Sequence, residues 1–138
     1  MATFNKFNSF VEAVAEKVHN LGSDTLKYAL TNSAPVAGNT VLANITQIAN
    51  GNGYTTGGAT VTISSSAQTS GTYKLVLADV TFTATGSMGP FRYVVLYNST
   101  ATNSELIGWW DYGSSLTLAT GETFTVDADP TNGILTIA

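Results

Sequence analysis

Cysteine is absent from this sequence of 138 residues. Without thiols the chain can form neither disulfide bonds nor thiolate metal sites, so its stability must come from packing and from association with other chains. This composition suits a protein made in a reducing cytosol. A chain of this size buries about 68% of its unfolded surface on folding. We therefore expect residues 1–138 to form a single domain with one core.

Charged side chains are also scarce. Asp, Glu, Lys and Arg make up 10% of the residues, against about 25% in ordinary soluble domains. A polar but uncharged surface repels its neighbours weakly, which favours a subunit packed into an assembly. The net charge is −4 with five basic residues. Because nucleic-acid binding needs clustered Lys and Arg, nucleic acid is not an expected partner.

Long apolar runs are missing as well. No run approaches the ~20 consecutive apolar residues of a membrane span. The first stretch, "MATFNKFNSFVEAVAEKV", mixes acids and lysines among its apolar residues, whereas a secretion signal has a basic start followed by an apolar stretch. We expect a soluble protein with no secretion signal and no membrane partner.

Hydrophobic periodicity predicts one helix near the start of the chain. Ser9 and Glu12 are spaced as a capping box, and Gly22 follows as a stop signal. The spacing predicts an amphipathic helix over about residues 9–21, whose apolar stripe must dock on its own sheet or on a neighbouring subunit. Six apolar residues carry this periodicity: Phe7, Phe10, Val11, Val14, Val18 and Leu21.

The rest of the chain has the alternation typical of strands. "DTLKYALT" is followed by a loop, a short helical turn and a glycine-rich loop over residues 50–58. Six segments then read as strands: "ATVTISS", "YKLVLADVTFTA", "FRYVVLYNS", "ELIGWWDY", "ETFTVDA" and "GILTIA". The predicted fold is mainly β, an antiparallel, jelly-roll-like β-sandwich over residues 23–138, after an N-terminal arm and helix over residues 1–22.

Several residues of types that can support catalysis or ligand binding are better explained by structural roles. The sole histidine, His19, lies near the predicted helix end, where a partly charged imidazole suits the helix dipole. Asp127 and Asp129 offer too few oxygens for calcium, so a turn before Pro130 is preferred. The glycines of "GNGYTTGG" favour positive φ and close packing beside Tyr54 over a phosphate cradle. We expect no catalytic residue, no metal, no cofactor and no enzyme activity.

Arg92 is the most informative basic residue. In "FRYVVLY", alternation places Arg92 on the same face as Val94 and Leu96, which is apolar. A buried arginine needs a carboxylate partner. We therefore expect a structural ion pair between Arg92 and either Asp79 or Asp111.

Both tryptophans of the chain lie in "ELIGWWDYG". Alternation places Trp109 and Trp110 on opposite faces, with Tyr112 on the face of Trp110. One tryptophan is therefore expected in the core, and the other is expected to be exposed or covered by another chain. An exposed tryptophan is typical of an interface anchor or of a sugar-stacking platform, and exposure without a role is the third alternative.

Four stretches that cover nearly the whole chain resemble a family of small tailed-bacteriophage virion proteins: "SDTLKYALTNSAP", "NTVLANITQIANGNGYTTGGATVT", "PFRYVVLYNSTATNSELIGWWDYG" and "GETFTVDADPTNGILTI". The resemblance implies a non-enzymatic structural component, best matched by a capsid decoration (cement) protein. Such a protein is made in the bacterial host cytoplasm and binds the outer surface of the head, usually as a homotrimer. Its partner would be the major capsid protein.

Within that interpretation, the pattern predicts an aromatic interface. The N-terminal phenylalanines would contact the shell or a sister subunit, so that deleting residues 1–10 would abolish attachment and leave the sandwich folded. The predicted interface residues are Phe4, Phe7, Phe10, Trp109, Trp110 and Tyr112. Two alternatives stay open: a head-fibre or tail-associated virion subunit, and a carbohydrate-binding module that stacks sugars on Tyr112 and one tryptophan.

Overall fold

A computed structural model describes residues 2–138 and confirms a mainly β protein with antiparallel sheets and one short α-helix near the N-terminus. The elements, in chain order, are β1 Asn5–Lys6, α1 Phe10–Ala15, β2 Leu26–Thr31, a 3₁₀ helix Leu42–Asn44, β3 Ala59–Val61, β4 Ile63–Thr69, β5 Thr72–Leu77, β6 Val80–Thr83, β7 Met88–Asn98, β8 Leu106–Leu118, β9 Thr123–Val126 and β10 Leu135–Ile137. No helix in the described range has the length and apolar character needed to cross a membrane.

The strands form three sheets. A five-stranded sheet has the order β1-β8-β7-β2-β3, a three-stranded sheet has the order β10-β5-β4, and β6 pairs with β9. Apolar side chains from all three sheets meet in one main core, so the large sheet packs one face against the two smaller ones in a sandwich-like arrangement. The finer jelly-roll topology stays a prediction.

The second face of the large sheet is covered too. In β2, Leu26, Tyr28 and Leu30 enter the main core, yet Ala29 and Thr31 on the opposite face are also buried. A second apolar cluster forms there from Phe7, Ala29, Ile45, Val95, Tyr97 and Leu106. The alternation of "DTLKYALT" predicts one buried face; the structure buries both because the segments before and after β2 fold back over the sheet.

The α-helix is shorter than the sequence predicts. It ends at Ala15, and the predicted range of about 9–21 is therefore wrong. Ser9 is the N-cap residue but makes no side-chain capping hydrogen bond, so the predicted capping box is wrong as well. Lys17 adopts a left-handed φ of 65°, which turns the chain well before Gly22. The valines of this segment are poor helix formers, which is consistent with its early end.

The N-terminal segment is part of the large sheet. In β1, Asn5 pairs with Trp109 and Lys6 pairs with Gly108 of β8. The backbone N–H of Phe7 then donates to the carbonyl oxygen of Ile107 at 3.2 Å. Residues 5–7 therefore contribute to the fold itself and do not project from it as an arm.

The glycine-rich loop packs closely against the strands, as predicted. Gly58 has φ +80°, and a Cβ atom placed there would clash with the backbone of Tyr28. Tyr54 is buried beside it, and its hydroxyl accepts a hydrogen bond from the Leu30 N–H at 3.2 Å. The hydroxyl of Tyr54 also donates to the side-chain oxygen of Gln47. These contacts fix residues 50–58 to β2, and a side chain at position 58 would disrupt them.

Candidate functional site: an aromatic groove beside strand β8

The two tryptophans of β8 point to opposite faces of the large sheet, as predicted. Trp109 lies opposite Val95 and packs on the second cluster, whereas Trp110 lies opposite Val94 and packs on the main core. The register between β7 and β8 shifts where Ile107 is inserted as an extra residue. The alternation predicted from Leu106 to Tyr112 therefore holds for the tryptophans but fails at two residues: Leu106 lies on the face of Trp109, and Ile107 lies on the face of Trp110.

Each tryptophan is half-buried beneath a phenylalanine from the N-terminal segment. The ring centroid of Phe7 lies 4.6 Å from that of Trp109, and the centroid of Phe4 lies 5.2 Å from that of Trp110. The expectation that one tryptophan is core and the other is exposed or covered by another chain is wrong. The chain itself covers part of both tryptophans, because β1 runs along β8 and the phenylalanines on either side of it, Phe4 and Phe7, pack on opposite faces.

This packing changes the predicted interface. Phe7 and Phe10 are buried within the chain, so they offer a partner no surface in this fold, and their predicted interface role is wrong for it. Phe4, Trp109 and Trp110 keep part of their surface. Tyr112 is 54% exposed and is the most accessible residue of the predicted set.

Trp110 and Tyr112 form one wall of an apolar groove with a volume of about 550 Å³. The opposite wall comes from β9 and from the loop that follows it. The Phe124 ring of β9 lies 5.5 Å from the Tyr112 ring in an edge-to-face arrangement. The other lining residues are Ala2, Phe4, Tyr28, Val94, Thr125, Val126, Asp127, Ala128, Asp129, Gly133 and Ile134. The groove is thus an aromatic opening at one side of the main core.

Tyr28 lies at the floor of this groove and is fully buried. Its hydroxyl has no hydrogen-bond partner among the described residues. Burial raises the pKa of Tyr28 far above its usual value, and the carboxylate of Asp79 raises it further. The phenol is therefore a neutral, unused hydrogen-bond donor, a group that the sequence pattern did not single out.

Arg92 pairs with Asp111, one of its two predicted partners. Its Nε and Nη2 atoms donate to the two carboxylate oxygens at 2.8 and 3.0 Å. This hydrogen bonding, followed by that from the Gly113 N–H, lowers the pKa of Asp111. Asp79, the other predicted partner, instead accepts a hydrogen bond from the N–H of Ala128.

The predicted burial of Arg92 is wrong, since the side chains of Arg92 and Asp111 are 38% and 40% exposed. A register shift between Phe91 and Tyr93 interrupts the alternation, so Phe91 joins Val94 in the main core. Arg92 is thereby displaced from the apolar face. An ion pair with this exposure contributes little to stability.

His19 is buried four residues beyond the end of the helix, so the predicted role at the helix dipole is wrong. Asn98 holds it in place: the Asn98 Nδ2 atom lies 3.0 Å from His19 Nδ1 and donates to Asp24 at 2.7 Å. Because Nδ2 carries only donors, Nδ1 accepts and the proton of the neutral ring sits on Nε2. The Nε2 atom is buried without a partner among the described residues.

This burial predicts a pH dependence of stability. Desolvation lowers the pKa of His19 below 6.5, opposed by the carboxylates of Glu105 and Asp24. The unfolded chain therefore binds the proton more tightly than the folded chain does. The contribution of neutral His19 to the free energy of unfolding is complete above pH 6.5 and declines as the pH falls below that value. We expect urea unfolding at about pH 7.5 and about pH 5 to show this loss in the wild type and a smaller loss in His19→Gln. Equal losses in both proteins would contradict the assignment.

The turn predicted before Pro130 lies instead at residues 130–132, directly after "DADP", and Asp129 is the aspartate that holds it. Asp129 Oδ1 accepts the backbone N–H groups of Thr131 and Asn132 at 2.8 and 2.9 Å. These hydrogen bonds, together with that from the Asn132 side chain, lower the pKa of Asp129. Within residues 2–138, no group of three or more His, Cys, Asp or Glu side chains is placed to hold a metal ion.

Known proteins give no guide to this arrangement. The chain matches no protein-family model, no curated protein and no solved structure. These comparisons therefore assign no function to the chain.

Strand β4 provides a second surface of interest, an unpaired sheet edge. Within the described chain β4 pairs with β5 alone, and it has seven residues without a charge. A two-residue turn joins Thr69 of β4 to Thr72 of β5, so these two residues exchange backbone hydrogen bonds. Every second residue back along β4 is paired with β5 in the same way: Ala67 with Lys74, and Ser65 with Val76. The backbone N–H and C=O groups of Ser66 and Gln68 therefore point away from β5 and are available to another strand.

Proposed function

We propose that the protein is a non-enzymatic structural component of a tailed-bacteriophage particle, a decoration (cement) protein that binds the outer surface of the head. The observation that carries the proposal is the uncharged edge strand β4 on a molecule with 10% charged residues. The resemblance of four long stretches to phage virion proteins supports a role as a component of the particle. The partners in this proposal are the major capsid protein and sister copies in a homotrimer.

The edge of β4 lacks several of the features that prevent exposed edge strands from pairing with other chains. Edge strands are usually short, or carry Lys or Pro. The other edges of the two larger sheets are short, with two residues in β1 and three each in β3 and β10. The edge strand β4 has seven residues and no Lys or Pro, although the register shifts between Ile63 and Ser65. A strand added by a neighbour would satisfy the outward groups of this edge.

A cement protein stabilises a shell by adding binding energy across neighbouring capsomers, so it needs a rigid framework and several contact surfaces. The large sheet, covered on both faces, supplies such a framework. The edge of β4 and the exposed ring of Tyr112 supply two surfaces of different kinds: one offers backbone hydrogen bonds and the other an aromatic side chain.

A charge placed on the β4 edge tests the proposal. Ser65 is exposed and makes no side-chain hydrogen bond, so Ser65→Lys should fold normally and block strand addition. We expect its affinity for purified particles that lack this protein to fall by about tenfold or more, equivalent to at least ~1.4 kcal/mol. Binding is measured by titrating purified protein onto the particles and quantifying what sediments with them.

The matched control is Ser114→Lys, which adds the same charge at another exposed strand serine, on β8. This variant should attach like the wild type. If Ser65→Lys also attaches like the wild type, β4 is not the contact edge. If wild-type protein does not attach at all, the cement proposal itself is wrong.

A carbohydrate-binding module is the second candidate, favoured by the exposed ring of Tyr112 beside Trp110 at the groove. Sugar rings stack on such aromatic surfaces. In this case the tryptophan emission should shift on addition of oligosaccharides from bacterial cell surfaces, and Tyr112→Ala should abolish the shift. No shift across an oligosaccharide panel would remove this candidate.

A further inference from the structure

We propose that the partner of the β4 edge is the β4 edge of a second copy of this chain, paired antiparallel about a two-fold axis that passes through Ala67. This inference deepens the proposed function, and it rests on that function for the place of the contact, the surface of a particle. The pairing itself is supported by the outward backbone groups of β4, by the side chains along the strand and by its lack of charge.

The backbone groups that face away from β5 make β4 self-complementary. They belong to Ser66 and Gln68, and no other backbone group of the described chain hydrogen-bonds to them. In an antiparallel pair centred on Ala67, Ser66 lies opposite Gln68 of the second copy, and Gln68 lies opposite Ser66 of that copy. Residues opposite each other in this way exchange both backbone hydrogen bonds, so the pairing satisfies the outward groups of these residues in both copies.

The side chains of the same two residues already have partners within the β4–β5 hairpin. Ser66 Oγ lies 2.8 Å from the hydroxyl of Tyr73, and Gln68 Oε1 accepts the Gly71 N–H at 3.1 Å. The edge therefore lacks only backbone partners. An added strand supplies these partners without any specific side-chain contact.

The side chains on the other face of β4 suit contact between two copies. Ser65, Ala67 and Thr69 are exposed, and they alternate with Ser66 and Gln68 along the strand. In the proposed register Ala67 faces its own counterpart at a Cα separation of about 4.5 Å, where a small side chain fits. Ser65 faces Thr69 of the second copy, and such hydroxyl pairs stabilise antiparallel strands.

Charge does not oppose this pairing. None of the seven residues of β4 is charged. Lys74 of β5 lies opposite Ala67, so the same cross-strand row would contain one lysine from each copy. Three strand spacings of about 4.8 Å would separate these lysines by about 14 Å, beyond the screening length of about 8 Å at physiological ionic strength.

The lengths of the other edge strands favour β4 as its own partner. The strand β4 has seven residues, whereas the other edge strands of the described sheets have two to four. Within residues 2–138, a second copy therefore offers no other edge of comparable length. Because a two-fold contact cannot close a trimer, on a particle it would join copies that belong to neighbouring trimers.

Disulfide trapping tests this pairing, because the chain has no cysteine of its own. Ala67→Cys would place two thiols opposite each other, within the Cα separation of about 4.4–6.8 Å that a disulfide requires. Thr69→Cys is the matched control, since residue 69 is exposed on the same face but would lie about 14 Å from its counterpart. Trapping also detects a contact that is too small to give a stable dimer in solution.

The measurement uses purified protein without particles, a mild oxidant and non-reducing electrophoresis. We expect Ala67→Cys to form a covalent dimer at least about tenfold faster than Thr69→Cys, because the pairing brings its thiols together. A mixture tests the register: Ser65→Cys and Thr69→Cys should each react slowly alone and rapidly when mixed. Thermal unfolding verifies that each variant is folded.

The outcomes separate this inference from the proposed function. Equal rates for Ala67→Cys and Thr69→Cys overturn the pairing, and a mixture that reacts no faster than its components overturns the register. If Ala67→Cys forms no dimer while Ser65→Lys still weakens attachment to particles, the cement role stands and β4 pairs with a different protein. Rapid trapping of Ala67→Cys without any attachment of the wild type supports the pairing and contradicts the cement role.

Discussion

Replacing Phe7 with alanine should lower the free energy of unfolding by about 3–5 kcal/mol, the cost of removing a fully buried phenylalanine. Phe7 has no exposed surface, and its ring lies 4.6 Å from that of Trp109. The substitution leaves a cavity in the second cluster and uncovers one face of Trp109. We expect a lower urea midpoint and, in the folded variant, a red shift of tryptophan emission.

Val11→Ala is the control, because Val11 is on the short helix of the same segment but is 53% exposed. Its loss of stability should be within about 0.5 kcal/mol. A Phe7→Ala protein as stable as the wild type would show that the N-terminal segment does not pack on the sheet.

The same packing reverses the expectation for a deletion of residues 1–10. The sequence pattern alone predicts that the sandwich would stay folded without an arm. The structure places β1 in the large sheet, with Phe7 and Phe10 buried. Removing this segment would expose both tryptophans and one edge of β8, so we expect the truncated chain to be unfolded or aggregated.

Gly58→Ala should destabilise the protein by about 4 kcal/mol, since two costs coincide at this position. Its φ of +80° is unfavourable for any residue with a side chain, and an added Cβ atom would clash with the backbone of Tyr28 in β2. The glycine-rich loop or β2 must therefore move. Chemical denaturation would measure the loss.

Gly71→Ala separates these two costs. Gly71, in the turn between β4 and β5, has a similar φ of +83°, but nothing lies within 4 Å of an added Cβ atom. It should therefore lose only the conformational part, about 1–2 kcal/mol. Equal losses at both positions would contradict the account of close packing at Gly58.

Alternation in the sequence was enough to predict the strand-rich fold, the opposite faces of the two tryptophans and Asp111 as one candidate partner of Arg92. It failed where extra residues interrupt the β7–β8 ladder, because a bulge moves neighbouring side chains to other faces and periodicity alone does not locate it. The exposure of Arg92 and the inward position of Ile107 have this cause.

The sequence did contain a signal for the packing of Phe4 and Phe7 against the two tryptophans. Phe4 and Phe7 are three positions apart, and because this offset is odd, an extended chain places them on opposite faces. Helical spacing from Phe7 onward obscured this signal. The groove had no comparable signal, since it depends on how the loop after β9 lies against Trp110, a long-range contact that local patterns do not specify.

The number of copies per particle tests the central claim most directly. Quantitative mass spectrometry of particles purified from the source of this chain would compare its amount with that of the major shell protein. The proposed cement role predicts a ratio near one copy per capsid subunit, because a decoration protein covers the whole lattice. A few copies per particle would indicate a fibre or tail component instead, and absence from the particles would contradict the virion role altogether.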